Sequence, residues 1–168
     1  DMEHGSISTS QLPDLFRALE LGDTLPLVRL QAPEERLCKL ALDAGASGVI
    51  APQIESAKQL LSIRNACSWP MVGARGVGFS RANLFGRKFE AYKEEAKHPL
   101  LIAMIETQKG ASDIREILKV PGLDAIFIGP YDLSASLGVI GDFNHPLFKD
   151  ALRLILDECK MAGIPSGI

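Results

Sequence analysis

The chain has 168 residues, of which 46% are hydrophobic and 23% charged, a balance ordinary for one globular domain with a real core. A net charge of −3 with no basic block argues against nucleic acid as a partner, because phosphate binding needs clustered Lys and Arg. Its apolar runs fall far short of the ~20 residues that cross a bilayer, and no charged-then-apolar leader opens it, so a cytoplasmic protein away from the membrane is expected.

Taken in order, the chain opens on Asp1-Met2-Glu3-His4-Gly5, which could be the tail of a strand. A helix follows with Leu12, Leu15, Phe16 and Leu19 on one face, stopping at Gly22, and then a strand at Leu27–Arg29. The next helix has Pro33 in its first turn, carries Leu37, Leu40, Ala41 and Ala44, and stops at Gly45 before a strand at Gly48–Ala51. Ala57, Leu60 and Leu61 mark a third helix, and Met71–Val72 a short strand. Gly73 to Lys88 is rich in Gly, Arg and Asn, and irregular segments of that length are usually functional or mobile. Beyond it come a strand at Leu100–Glu106, a helix with Ile114, Ile117 and Leu118, and a strand at Ala125–Ile128. The longest helix carries Ala151, Leu152, Ile155, Cys159 and Ala162 and is ended by Gly163 and Pro165, with a last strand at Ile164–Ile168. Cys38, Cys67 and Cys159 fall inside helical patterns, and an odd, scattered set reads as buried thiols, not a disulfide framework.

Strands alternating with helices at this pace imply parallel pairing and right-handed crossovers, hence an α/β fold. A barrel and a doubly wound sheet both fit, although no Gly-x-Gly-x-x-Gly opens the first helix. Six strands are expected, or seven if Asp1–His4 is one, whereas a closed (β/α)8 TIM-type barrel has eight and takes about 250 residues. Such a barrel would be truncated, with unpaired edges that neighbouring chains or missing segments must cover.

In a parallel α/β fold the chemistry gathers at the carboxyl ends of strands. Glu106 and Asp132 follow successive strands with one helix between them, so pairing would set them side by side. Two such carboxylates repel unless a proton or a cation intervenes, and Mg²⁺ or Mn²⁺ is a natural occupant. The alternatives are a helix N-terminal carboxylate at Glu106 and an N-cap at Asp132. His4 stands three residues after Asp1, which could fix its imidazole, or the pair could be a polar turn. Arg29 ends an apolar strand and would face either a bound anion or a buried carboxylate. Arg75-Gly76-Val77-Gly78 could turn amides toward an anion, or be glycine-rich only for its turns.

The ordered set Asp1-x-Glu3-His4, Val28-Arg29, Arg75-Gly76-Val77-Gly78, Ile105-Glu106-Thr107 and Phe127-Ile128-Gly129-Pro130-x-Asp132-Leu133-Ser134 resembles the HpcH/HpaI family of class II pyruvate aldolases. These are 4-hydroxy-2-oxoheptanedioate aldolase-like enzymes of the phosphoenolpyruvate/pyruvate barrel group. The resemblance implies one barrel domain over residues 1–168, lacking the family's first strand-helix unit and C-terminal helices, in a homo-oligomer. It implies that Glu106 and Asp132 ligate a divalent metal ion, Mg²⁺, Mn²⁺ or Co²⁺, chelated by a small 2-oxo acid substrate. Arg29 then steadies the keto oxygen, His4 oriented by Asp1 acts as base, and the backbone of Gly129, Pro130 and Tyr131 receives the substrate carboxylate. The reaction implied is reversible cleavage of a 4-hydroxy-2-oxo acid to pyruvate and an aldehyde, with no Schiff-base lysine. Met104, where some relatives carry Gln, and Tyr131, where a small residue is common, leave the second substrate open. A citrate lyase-like reaction on an acyl-CoA is the alternative, disfavoured by the acidic chain, and a non-catalytic barrel fragment is the third reading.

Overall fold

The computed structural model describes residues 1–168. Its elements run α1 (Leu12–Leu21), β1 (Leu27–Arg29), α2 (Glu35–Asp43), β2 (Gly48–Ala51), α3 (Ala57–Cys67), α4 (Phe89–Glu95), β3 (Leu100–Ile105), α5 (Gln108–Ser112), α6 (Ile114–Ile117), β4 (Ala125–Ile128), α7 (Pro130–Ser136), α8 (Pro146–Ala162) and β5 (Ser166–Gly167). Local chemistry sets several boundaries. The Ser56 hydroxyl accepts the Gln59 N–H at 3.3 Å to start α3, and Thr107 accepts the Gly110 N–H at 3.0 Å to start α5. His145 caps α8, its Nδ1 accepting the Leu147 N–H at 3.2 Å, with Pro146 at the first helical position. Gly163, at φ +69°, ends α8 in the left-handed conformation that glycine adopts without penalty.

The five strands pair in parallel in the order β1-β2-β3-β4-β5. Sequence order never reverses, so the sheet has no topological switch point of the doubly wound kind. Side chains alternate across it. Val28, Val49, Ala51, Leu101, Ala103, Ile105, Ile126 and Ile128 are buried in one core together with helical residues such as Cys38, Leu42, Leu60, Ile63, Ile114, Leu133 and Ile155. Each fully buried Leu or Ile contributes about 1.5–3 kcal/mol relative to exposure. Leu27, Arg29, Ile50, Leu100, Ile102 and Phe127, on the opposite face, are only half-buried. The helices therefore cover one face, and the other is the inner surface of an open arc.

Three expectations are corrected. The strand count is five, not six or seven, in an open sheet. Met71–Val72 lies in a turn, where Val72 N–H bonds back to Trp69 O at 3.1 Å and no strand is alongside. Asp1–His4 is a bend with one sheet-like bond, Met2 N–H to Arg29 O at 3.0 Å, because the Asp1 carboxylate folds the chain onto the Glu3 N–H at 3.0 Å. In addition, the last strand shrinks to Ser166–Gly167, and the helix after Glu106 is broken in two at Asp113. There the Asp113 carboxylate turns aside to accept the Ala57 N–H of α3 at 3.1 Å.

Candidate active site

Glu106 follows the last residue of β3 and continues its alternation with Ile102 and Met104, which places it on the inner face. It is only 3% exposed. Its Oε1 accepts the Gln53 N–H at 2.6 Å, while Oε2 takes no hydrogen bond from the protein. The register Ile105↔Ile128 carries on to set Glu106 beside Gly129. A Cβ at Gly129 would lie 2.6 Å from Glu106 Oε2 and 2.9 Å from its Cβ, so only glycine leaves room for this carboxylate.

Asp132 stands in the first turn of α7, two residues after Pro130, and is exposed at the mouth of the site. Gly129, not Asp132, is the N-cap. Burial pushes the Glu106 carboxyl above its ordinary range, opposed by the Gln53 N–H; the Glu3 and Asp132 charges push it further up and Arg29 pulls it down. Five groups from five places in the chain thus converge on one spot, four of them brought there by the parallel pairing of β1, β2, β3 and β4 and Glu3 by the N-terminal bend.

Arg29 leaves the inner end of β1 with Nε 2.8 Å from Asp1 Oδ1 and Nη2 on Asp1 Oδ2, a two-pronged pair. Its Nη1 faces Glu3 Oε2 at 3.6 Å. From the sequence, Asp1 is also expected to orient the His4 imidazole. Of His4, the Asp1 carboxylate meets the backbone N–H, at 3.5 Å, while Arg29 takes both its oxygens. The His4 imidazole is exposed, and its nearest carboxylate is that of Glu3, at 4.0 Å. Pro130 opens α7, and the Tyr131 ring is 66% exposed, set edge-on to Phe143 with centroids 5.1 Å apart. Its backbone N–H belongs to the first helical turn, where amides lack intrahelical acceptors. Met104 is buried on the inner face, paired in register with Phe127, so the floor beneath Glu106 is apolar.

Other sequence candidates lie elsewhere. Arg75 is 2% exposed, donates to Tyr92 Oη at 3.1 Å and lies 5.7 Å from the centre of the Trp69 ring, which makes it an anchor for the loop and not part of this cluster. Arg81 pairs with Glu20 at 2.8 Å. Lys109 pairs with Glu55 at 3.0 Å on the surface of α5. Sequence reasoning missed Gln53 and the use of Glu3. Gln53 follows the apolar run of β2 as a polar residue at a strand end should, but Pro52 intervenes and hides the signal. Glu3 was visible within the first motif and was overshadowed by His4.

A group of three or more His, Cys, Asp or Glu side chains arranged to ligate a metal is not present. Two carboxylates nevertheless suffice for a hard divalent ion that keeps several waters. The free Glu106 Oε2, the space left by Gly129 and the nearby Asp132 fit that demand.

The model of the HpcH/HpaI aldolase/citrate lyase family matches residues 1–166. A 2-dehydro-3,6-dideoxy-6-sulfogluconate aldolase of Pseudomonas putida is 35% identical over 170 residues, covering 100% of this chain and 66% of that protein. A hydroxypyruvate/pyruvate aldolase of Roseobacter denitrificans is also 35% identical, covering 98% of this chain and 66% of its own length. The crystal structure of a family protein from Burkholderia cenocepacia superposes with a TM-score of 0.93 at 34% identity, over 99% of this chain and 67% of that one. The chain thus spans about two thirds of the length of the relatives it matches.

Proposed function

Because the chain belongs to the HpcH/HpaI aldolase/citrate lyase family, we propose that it acts as a divalent-metal-dependent aldolase cleaving a 4-hydroxy-2-oxo acid to pyruvate and an aldehyde. The observation that carries this reading is Glu106: a buried inner-face carboxylate with one oxygen free, facing Gly129 and sharing its surroundings with Asp132, Glu3 and Arg29. Glu106 and Asp132 would hold the ion, which when bound supplies positive charge to the oxygens of the 2-oxo acid. The five-stranded sheet is, in this reading, an arc of a (β/α)8 barrel whose remaining strands come from further chain or from a partner.

Arg29 has the role of stabilising negative charge on the keto oxygen as the carbon–carbon bond breaks. Asp1 holds two of its nitrogens, which leaves Nη1 as the donor nearest the inner face. His4 takes the proton of the substrate hydroxyl, and its exposure leaves the imidazole free to swing toward it. Gly129, Pro130 and Tyr131 offer the start of α7 to the substrate carboxylate through the Tyr131 N–H, since the Gly129 N–H is bonded to Ile105 O at 3.2 Å and Pro130 has none. The relatives named above as aldolases, at 35% identity, favour this over an acyl-CoA lyase.

The test is to strip the protein of metal, titrate it with Mg²⁺, Mn²⁺ and Co²⁺, and follow pyruvate release from a 4-hydroxy-2-oxo acid. Release that rises with ion and saturates is expected. Equal release in a chelator contradicts the metal's role, and no release with any ion contradicts the aldolase.

A further inference from the structure

Glu3 carries a carboxylate to which the proposed reaction assigns no role. Its side chain is 8% exposed, and its Oε2 is shut off from solvent without a hydrogen-bond partner. Buried carboxylate oxygens are normally satisfied, so an orphan marks a place where a donor is expected. Oε1 accepts from the Gln53 side chain at 3.3 Å, and the Gln53 backbone N–H in turn holds Glu106 Oε1 at 2.6 Å. Gln53 sits at φ +50°, an uncommon conformation for a non-glycine residue that lets one residue serve both carboxylates. The charged groups facing Glu3 are Arg29 Nη1 from β1 at 3.6 Å and His4 Nε2 at 4.0 Å, both beyond hydrogen-bonding distance. Glu106 at the end of β3 also feels its charge. Arg29 is already committed to Asp1 by two nitrogens.

We propose that Glu3 is the outer carboxylate of the cation site, its orphan Oε2 accepting a hydrogen bond from a water carried by the ion that Glu106 and Asp132 hold. The inference rests on the metal reading above. Glu3 is a positioning residue: it touches neither the ion nor the reacting atoms, and it orients the water and, through Gln53, the Glu106 carboxylate. A hard divalent ion retains several waters, and each of their hydrogens needs an acceptor. Outer partners of this kind typically contribute 10–100-fold in metal affinity. Glu3 also adds a negative charge at the site without spending a coordination position.

Binding of Mn²⁺ to the metal-free chain, read by the loss of its free-ion magnetic resonance signal, tests this without reliance on activity. Glu3→Gln should weaken the dissociation constant about 10–100-fold, while the midpoint of thermal unfolding of the metal-free protein stays level or rises, since a buried orphan charge has been neutralised. A purely structural residue would lower the unfolding midpoint and leave the affinity unchanged. Lys119→Ala, which removes only a surface pair with Glu116, should bind within about threefold of the parent. Affinity unchanged in Glu3→Gln overturns the proposal. Should that variant fail to fold, Glu3→Asp keeps the charge but withdraws the oxygen, and parent affinity there overturns it equally. If the parent itself takes up no Mn²⁺ and Glu106→Gln behaves identically, the metal reading has failed and this proposal falls with it. Normal uptake by the parent with no effect at Glu3 defeats this proposal alone.

Discussion

At Glu106 stability and ion binding pull in opposite directions. Without a cation the folded chain confines a carboxylate in a desolvated place beside two others, and its proton affinity is raised. A carboxyl whose folded pKa lies above its unfolded value of about 4.3 binds protons more tightly in the native state. It therefore lowers stability as pH climbs from that value through the raised one. Glu106→Gln removes the term and can keep the bond from the Gln53 N–H through its amide oxygen. Metal-free Glu106→Gln should thus unfold at the same or a higher temperature than the parent at pH 7, with the gap shrinking toward pH 4, while its Mn²⁺ binding is lost. Calorimetry across that range checks the sign, and a variant less stable at pH 7 than at pH 4 relative to the parent contradicts it. Arg29 gives a second expectation. Its guanidinium binds Asp1 by two nitrogens and keeps Nη1 toward the inner face, a geometry no ammonium reproduces. Arg29→Ala should slow aldol cleavage by about 10²–10³, the usual loss for one donor to a developing oxyanion. Arg29→Lys should recover only part of it, as steady-state kinetics would show.

At the scale of elements, the close approach of β3 and α7 depends on one missing side chain. Gly129 has an ordinary φ of −91°, so alanine there brings no backbone strain, but its Cβ would stand 2.6 Å from Glu106 Oε2. Gly129→Ala should therefore fold while pushing the carboxylate aside, with Mn²⁺ affinity falling at least about tenfold, by analogy with the loss of a ligand's support. Equal affinity would mean that Glu106 does not need that space. The same strand ends show what sequence could and could not convey. Leu27–Arg29, Gly48–Ala51 and Ala125–Ile128 were readable because short apolar runs flanked by helical patterns have few other ways to bury themselves. Met71–Val72 has the same apolar character but only two residues, and the turn held by Trp69 O takes precedence. α4 escaped because its Phe89 and Tyr92 pack on Trp69, a small separate cluster that no periodicity in so short a segment announces. The convergence of Glu106 with Asp132 follows from strand succession. That Asp1 pairs with Arg29 does not, because a contact across 28 residues depends on where β1 ends.

For the whole molecule the open sheet is the governing fact. Ile50, Ile102 and Phe127 line a half-buried inner face, β1 has only the Met2 bond along its outer edge, and β5 is an exposed two-residue strand. Unpaired strand edges invite pairing, and buried but unsatisfied amides cost about 1–3 kcal/mol each. The chain is accordingly expected to be completed by another copy or by further polypeptide. Sedimentation at micromolar concentration should find the 18.2 kDa chain in larger species, and a monodisperse, cooperatively folding monomer would contradict this. Glu106 and Asp132 are expected to equip this protein to activate a 2-oxo acid. The most direct measurement is exchange of the pyruvate methyl protons with D₂O, followed by NMR in metal-free protein before and after Mg²⁺ is added. Exchange that depends on the ion, saturates with it, and disappears in both Glu106→Gln and Asp132→Asn is the predicted result. Exchange at the parent rate in either variant, or none in the parent with the ion in excess, would contradict it.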